Sequence, residues 1–237
     1  MEKGKLIVIE GPDGCGKSSL CRNVTTYFKN KGIKIKSIGL PYKSKSHSYI
    51  MIKEAIKNKM PVDVIQSLMI MNIREIMNAT VYDMLSKGIN VLLDRWILST
   101  MIYDSLDNGT LENSIRIVLD KDTIDLYEVS RKYCKIKVYP DSILYYLPDK
   151  DIVISHAINR EKNKHCDDND KADRVIKQYY SYSNYYHLIK DGSYFKDTKS
   201  DHIKITSDLK DEKAVYDDMT EQATYIIQKI IEEGNSH

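Results

Sequence analysis

The sequence predicts an α/β domain: a three-layer, doubly wound, five-stranded parallel sheet. Three observations lead there. Short apolar runs of strand length alternate along the chain with longer stretches of helical periodicity. Residues 89–93 are almost continuously apolar, as a central parallel strand covered on both faces must be. A glycine-rich turn lies between the first apolar run and the first helix, where α/β sheets bind phosphate groups.

Taken in order, residues 5–10 form the first strand, and Lys17–Asn30 forms a helix that Lys31-Gly32 stops. Residues 33–38 are a second strand, broken by Pro41. Residues 48–59 are helical, and Pro61 opens one long helix to residue 87, closed by Gly88 in the C′ manner. Residues 89–93, 142–147 and 202–206 supply three more strands. Two late helices each carry one apolar stripe, Val175, Tyr179, Tyr182, Tyr186 and Ile189, then Val215, Met219, Ala223, Ile226 and Ile230. Residues 159–171 contain no large apolar side chain, so the core does not need them, and they are expected to be a mobile loop.

Composition narrows the class. With 237 residues and 42% apolar content, the chain makes one domain with a continuous core. No stretch reaches the roughly 20 apolar residues of a membrane helix, and residues 1–10 lack a secretory pattern. A net charge of +2 gives no reason to expect nucleic acid as a partner. Cys15, Cys21, Cys134 and Cys166 are too scattered for a disulfide framework, and His156, His165 and Cys166 fit no common metal spacing. The expected location is the cytoplasm.

The run Gly11-Pro12-Asp13-Gly14-Cys15-Gly16-Lys17-Ser18 matches G-x-x-x-x-G-K-S/T at every fixed position, between a strand and a helix. Backbone N–H groups from Gly11 to Ser19 would close on phosphate oxygens, Lys17 would reach the β/γ-phosphates and Ser18 would ligate Mg²⁺. A nucleoside triphosphate with Mg²⁺ is therefore expected, and the motif says no more than that. Asn58-Lys59-Met60-Pro61 and Asn163-Lys164-His165-Cys166 both lack the Asp of an N-K-x-D guanine reader, which argues against a GTPase. No L-S-G-G-Q-like signature points to a transporter ATPase. Small kinases remain. Asp94, ending the third strand, is placed to orient the metal's water shell, and Arg95 beside it to hold a second phosphate.

At this point the chain resembles the thymidylate kinase family of P-loop nucleoside monophosphate kinases. Residues 9–18 resemble its E-G-x-D-G-x-G-K-S/T loop, and Leu40-Pro41-Tyr42-Lys43 its F-P-x-R segment. Asn72-Ile73-Arg74-Glu75 falls where that family has a base-reading Arg. Asp94-Arg95-Trp96, with Ser99 and Tyr103, resembles its D-R-Y/F motif, and Pro140-Asp141 precedes a strand as its P-D-L run does. The resemblance implies one domain over 1–237, with an acceptor-binding region near 41–110 and a lid near 149–172. It implies that Asp13 binds the sugar 3′-hydroxyl and that Lys43 and Arg95 clamp the acceptor phosphate. By the same resemblance Arg74 bonds the base, Ile70 covers it one helical turn away, Tyr103 lies against the deoxyribose and Ser99 shapes the pocket. A homodimer through residues 64–84 is also implied.

Phosphoryl transfer needs positive charge around the migrating group. Some family members carry an Arg inside the loop where this chain has Gly14, so the charge is expected from the lid, with Arg160 the first supplier and Arg174 the second. Departures from the family are Ile70 for an aromatic residue, Lys43 for Arg, Trp96 for Tyr or Phe, and a longer stretch over 104–139. They imply a divergent member, of viral or phage kind. The expected reaction moves the γ-phosphoryl of ATP to a deoxynucleoside 5′-monophosphate, dTMP first. The alternatives are a broad or modified-base kinase, a nucleoside or DNA-base kinase, and a non-catalytic nucleotide-binding protein.

Overall fold

The computed structural model describes residues 3–42, 46–108, 138–162, 171–190 and 200–234. Lys43, Cys134, Lys164, His165 and Cys166 lie outside them, as do residues 109–137. In chain order the elements are β1 Leu6–Glu10, α1 Lys17–Asn30, β2 Ile35–Gly39, α2 His47–Lys57, α3 Val62–Ile76, a π-helical turn Met77–Val81 and α4 Tyr82–Ser86. Then come β3 Asn90–Asp94, α5 Ile97–Asn108, β4 Ser142–Tyr146, α6 Lys150–Lys162, α7 Ala172–Lys190, β5 Asp201–Ile205 and α8 Glu212–Gly234.

The five strands are all parallel, in the order β2-β3-β1-β4-β5. Because consecutive side chains of a strand face opposite ways, the sheet carries two cores. Leu6, Val8, Val91, Leu93 and Tyr145 point to one face, where Ile73, Ile76 and Met77 of the α3 stretch, Ile97 and Ile102 of α5, and Tyr182 of α7 cover them. Ile7, Ile9, Leu92, Leu144 and Tyr146 point to the other, under Leu20, Val24 and Phe28 of α1, Val153 of α6 and the α8 stripe. Each such aliphatic side chain, fully buried, contributes about 1.5–3 kcal/mol.

The chain runs from β1 out to β2, back through β3, then across β1 to β4 and β5. Ligands of open α/β sheets bind at the carboxyl ends of the strands where the order reverses. The glycine-rich loop after β1 and Asp94 at the end of β3 both lie there, with Ile9 in register with Asp94.

Three expectations change. The single helix over 61–87 is interrupted by the π-helical turn Met77–Val81; its buried ends, Met77 and Val81, both join the sheet-facing core. The buried stripe of α8 steps by four throughout, Val215, Met219, Ala223, Ile227 and Ile231, with Ile226 and Ile230 only partly buried beside it. That is a ridge inclined to the helix axis, which packs across the sheet. Residues 159–162 continue α6 as helix. No helix among the described residues is long and apolar enough to cross a membrane.

Candidate active site

The loop between β1 and α1 is held by contacts that its glycines permit. Gly14 has φ 76°, and a side chain there would collide with Arg160, whose Nη2 lies 1.7 Å from the position of a Cβ. Gly16 has φ 93° and lies under Tyr216, 2.9 Å from where a Cβ would be. Lys17, only 5% exposed, folds back to donate to the carbonyl oxygen of Pro12. Burial pushes the Cys15 thiol up, against the pull of Lys17 and Arg95, so it stays protonated.

Ser18 Oγ donates to Asp94 Oδ2 at 2.6 Å. Asp94 Oδ1 is buried with no hydrogen-bond partner among the described residues. A hydroxyl beside a carboxylate with an unused oxygen is a hard-oxygen donor pair of the kind that would suit Mg²⁺. No cluster of three His, Cys, Asp or Glu forms a metal site among the described residues.

Arg95 follows directly on β3 with φ 74°, a left-handed conformation that costs a non-glycine residue about 1–3 kcal/mol. The turn throws its guanidinium back over the loop. Nη2 pairs with Asp13 Oδ1, and Nη1 donates to the Gly11 carbonyl at 3.2 Å, Ser99 Oγ at 3.0 Å and Tyr182 OH at 3.3 Å. Asp13 also accepts from Tyr103 OH and, at 2.9 Å, from Gln178 Nε2, while its backbone N–H donates to Gln178 Oε1 at 2.7 Å. Burial raises the Asp13 carboxyl, but the charges of Arg95 and Lys17 and these hydrogen bonds outweigh it and hold the group below its ordinary value.

Beneath this pair lies Glu10, fully buried. Its carboxylate accepts from the Trp96 and Ser99 backbone at 2.8 and 3.3 Å, from Ser99 Oγ at 2.6 Å and from Tyr182 OH at 3.1 Å. Burial raises its pKa despite these donors and the nearby Arg95. Glu10 thus pins the start of α5 to the end of β1 and fixes the height of Arg95.

Two hollows meet at Arg95. One, of about 880 Å³, is lined by Asp13, Gly14, Gly16, Lys17, Ser18, Ser19, Asp94, Arg95 and, from α6, His156 and Arg160. The other, of about 380 Å³, is lined by Gln66, Met69, Asn72, Ile73, Trp96, Ser99, Tyr103 and Arg174 among others. Leu40, Pro41 and Arg95 belong to both walls. The Leu40–Pro41 peptide is cis. Asn72, fully buried, accepts from Tyr42 N at 2.7 Å and donates to Ser46 and Ser48 Oγ at 2.8 and 3.0 Å, tying Tyr42, Ser46 and Ser48 to α3.

The structure therefore brings together Gly11, Asp13, Gly14, Gly16, Lys17, Ser18, Ser19, Asp94, Arg95, Ser99, Tyr103 and Arg160 at the two hollows. It does not bring Ile70 or Arg74 there. Residues 73, 76 and 77 face the sheet, which turns Arg74 outward and leaves it exposed; Met69 and Ile73 take the wall instead. Arg160 and Arg174 both reach the site, Arg160 at the glycine loop and Arg174 in the second hollow, 5.9 Å from the Tyr103 ring.

Five side chains that support the site were not legible in the sequence as such. Gln178 and Tyr182 lie one turn apart on α7, and the sequence picks out only Tyr182, as a member of an apolar stripe. His156 stacks on Tyr216 at 5.8 Å between ring centres, faces the Gly14 carbonyl at 3.3 Å and pairs with Glu212 at 2.7 Å. These residues act through contacts 56 to 172 positions away, which no local motif reports.

Comparison with known proteins follows the same outline. Residues 9–195 match the family model described as thymidylate kinase. The thymidylate kinase of Buchnera aphidicola subsp. Baizongia pistaciae is 26% identical over 221 residues, covering 90% of this chain and 92% of that protein. That of Plasmodium falciparum is 34% identical over 105 residues, 44% of this chain and 50% of that one. The fold resembles a solved thymidylate kinase from Candida albicans with a TM-score of 0.62 and 20% identity, covering 97% of this chain and 93% of that one; that enzyme is described as having broad substrate specificity.

Proposed function

The chain belongs to the thymidylate kinase family, and from that premise we propose how its own residues transfer the γ-phosphoryl group of ATP to dTMP. The observation that carries the reading is the junction of the two hollows. A phosphate-binding loop, with Asp13 paired to Arg95, opens on one side of that guanidinium, and a pocket walled by Leu40, Pro41, Met69, Ile73 and Trp96 opens on the other, which supports donor and acceptor phosphates meeting at Arg95.

In this reading the backbone from Gly11 to Ser19 and Lys17 hold the donor phosphates. Ser18 and Asp94 hold Mg²⁺, which when bound neutralises charge on the β- and γ-oxygens. Arg95 and Lys43 grip the acceptor phosphate. Asp13 accepts from the sugar 3′-hydroxyl, and Tyr103 covers the face where a 2′-hydroxyl would project. Ser99 keeps Arg95 oriented. Arg160 supplies positive charge to the migrating group, and the end of α6 with the segment after it acts as the lid that excludes water. No general base is needed, because the acceptor phosphate is already anionic at neutral pH. The work is positioning and charge stabilisation.

An ADP-release assay with ATP and Mg²⁺ against dTMP, dUMP, dCMP, dGMP, dAMP, UMP and thymidine tests this. Turnover confined to deoxynucleoside monophosphates, dTMP foremost, is expected. Turnover of thymidine but no monophosphate would overturn it. The exposed Met71 and Tyr82, on α3 and α4, support pairing of two copies through residues 64–84; a monomer mass by light scattering would remove that part.

A further inference from the structure

We infer that Gln66 reads the Watson–Crick edge of the acceptor base, in place of a charged reader on the same helix. The inference deepens the acceptor reading above and rests on it. Gln66, Met69 and Ile73 stand at i, i+3 and i+7 on α3, so they share one helix face. All three line the smaller hollow, and Arg74 is turned away from it. Met69 and Ile73 give that wall an apolar surface suited to the flat face of a base.

A thymine edge presents a donor, N3–H, beside an acceptor, O4. Reading it needs an acceptor and a donor side by side, which a carboxamide offers and a guanidinium cannot. Of the two carboxamides in this wall, Asn72 and Gln66, Asn72 is already committed through both its atoms to Tyr42, Ser46 and Ser48. Gln66 Oε1 is buried with no hydrogen-bond partner among the described residues. Leaving a buried acceptor unmet is costly, and a donor brought by a ligand relieves the cost. The last side-chain torsion of Gln is broad, so the amide can turn to set Oε1 toward N3–H and Nε2 toward O4. Of the wall's other polar side chains, Ser99 is bonded to Glu10 and Arg95 and Tyr103 to Asp13, while Trp96 and Arg174 can only donate and Thr100 offers a single hydroxyl, so none of these three presents a carboxamide's paired acceptor and donor.

The test compares wild type, Gln66→Met and Gln66→Glu with dTMP, N3-methyl-dTMP and dCMP in the full chain. Methionine keeps the length and bulk of the side chain beside Met69. For Gln66→Met, kcat/KM for dTMP should fall roughly 5- to 150-fold, the worth of a bidentate base contact, mainly through KM. Wild type should reject N3-methyl-dTMP, and Gln66→Met should lose that discrimination. Gln66→Glu, an acceptor only, should shift preference from dTMP toward dCMP by about tenfold. Unchanged ATP affinity certifies that the variants fold, and either variant alone decides the question. Wild-type turnover with base ratios unaltered in the variants overturns this inference alone. No wild-type turnover of any monophosphate overturns the acceptor reading and this inference with it.

Discussion

Replacing Gly14 by alanine should disable the enzyme through Arg160, not through the loop itself. A Cβ at position 14 would lie 1.7 Å from Arg160 Nη2 and 2.8 Å from its Cζ. Ordinary contact begins near 3.4 Å, so the guanidinium must retreat by about 1.7 Å. It sits at the end of a flexible side chain, so the retreat is sterically cheap. The φ of 76° adds about 1–2 kcal/mol of backbone strain for any L-residue, or a few degrees of melting temperature in a chain this size. A charge displaced by more than 1 Å from a transition state costs about 10²-fold in rate. We therefore expect kcat of Gly14→Ala to fall about 10²-fold in the ADP-release assay, with KM for ATP changed by less than about threefold. Arg160→Ala should fall at least as far. The double variant should be no slower than Arg160→Ala, because both changes remove one interaction. Full kcat in Gly14→Ala, or losses that multiply in the double variant, would refute the reasoning.

Three further outcomes follow from the same geometry. Ser18→Ala and Asp94→Asn should each raise the Mg²⁺ concentration for half-maximal rate by about tenfold, read by titration; an unshifted midpoint counts against the donor pair. Because Arg95 and Lys17 hold Asp13 below its ordinary pKa, Asp13 contributes stability above the unfolded carboxylate value, and that contribution is lost as pH falls through the folded value. Asp13→Asn should thus cost about 3 kcal/mol near pH 7 and little at strongly acid pH in urea melts; an equal loss at both would contradict the ion pair. Gln178→Ala should raise KM for dTMP several-fold while sparing 3′-deoxy-TMP, since Gln178 orients Asp13, the carboxylate proposed to accept from the 3′-hydroxyl; equal effects on both substrates would make Gln178 merely structural.

The sheet was legible because buried parallel strands are continuous apolar runs. Residues 142–147, expected as a strand, form one over Ser142–Tyr146, and α1 falls on Lys17–Asn30 as expected, between a glycine and Gly32. The α3 face was misjudged by one residue. A helix that is apolar nearly all round, from Val64 through Ile76, gives no clean phase, so a motif position set the face in place of the core. Only the packing of Ile73, Ile76 and Met77 against the sheet fixes the phase, and it puts Gln66 at the pocket and Arg74 in solvent. The Asp13–Gln178 clamp and the Glu10–Tyr182 bond join the first strand and loop to α7, and hydrogen bonds of that span carry no sequence periodicity.

The fate of the γ-phosphoryl group tests the proposed transfer most directly. Incubation with γ-labelled ATP, Mg²⁺ and dTMP, followed by separation of the products, measures it. The account predicts label in dTDP at a rate matching ADP release. Label released as inorganic phosphate, or retained in ATP while dTMP stays unchanged, would contradict it.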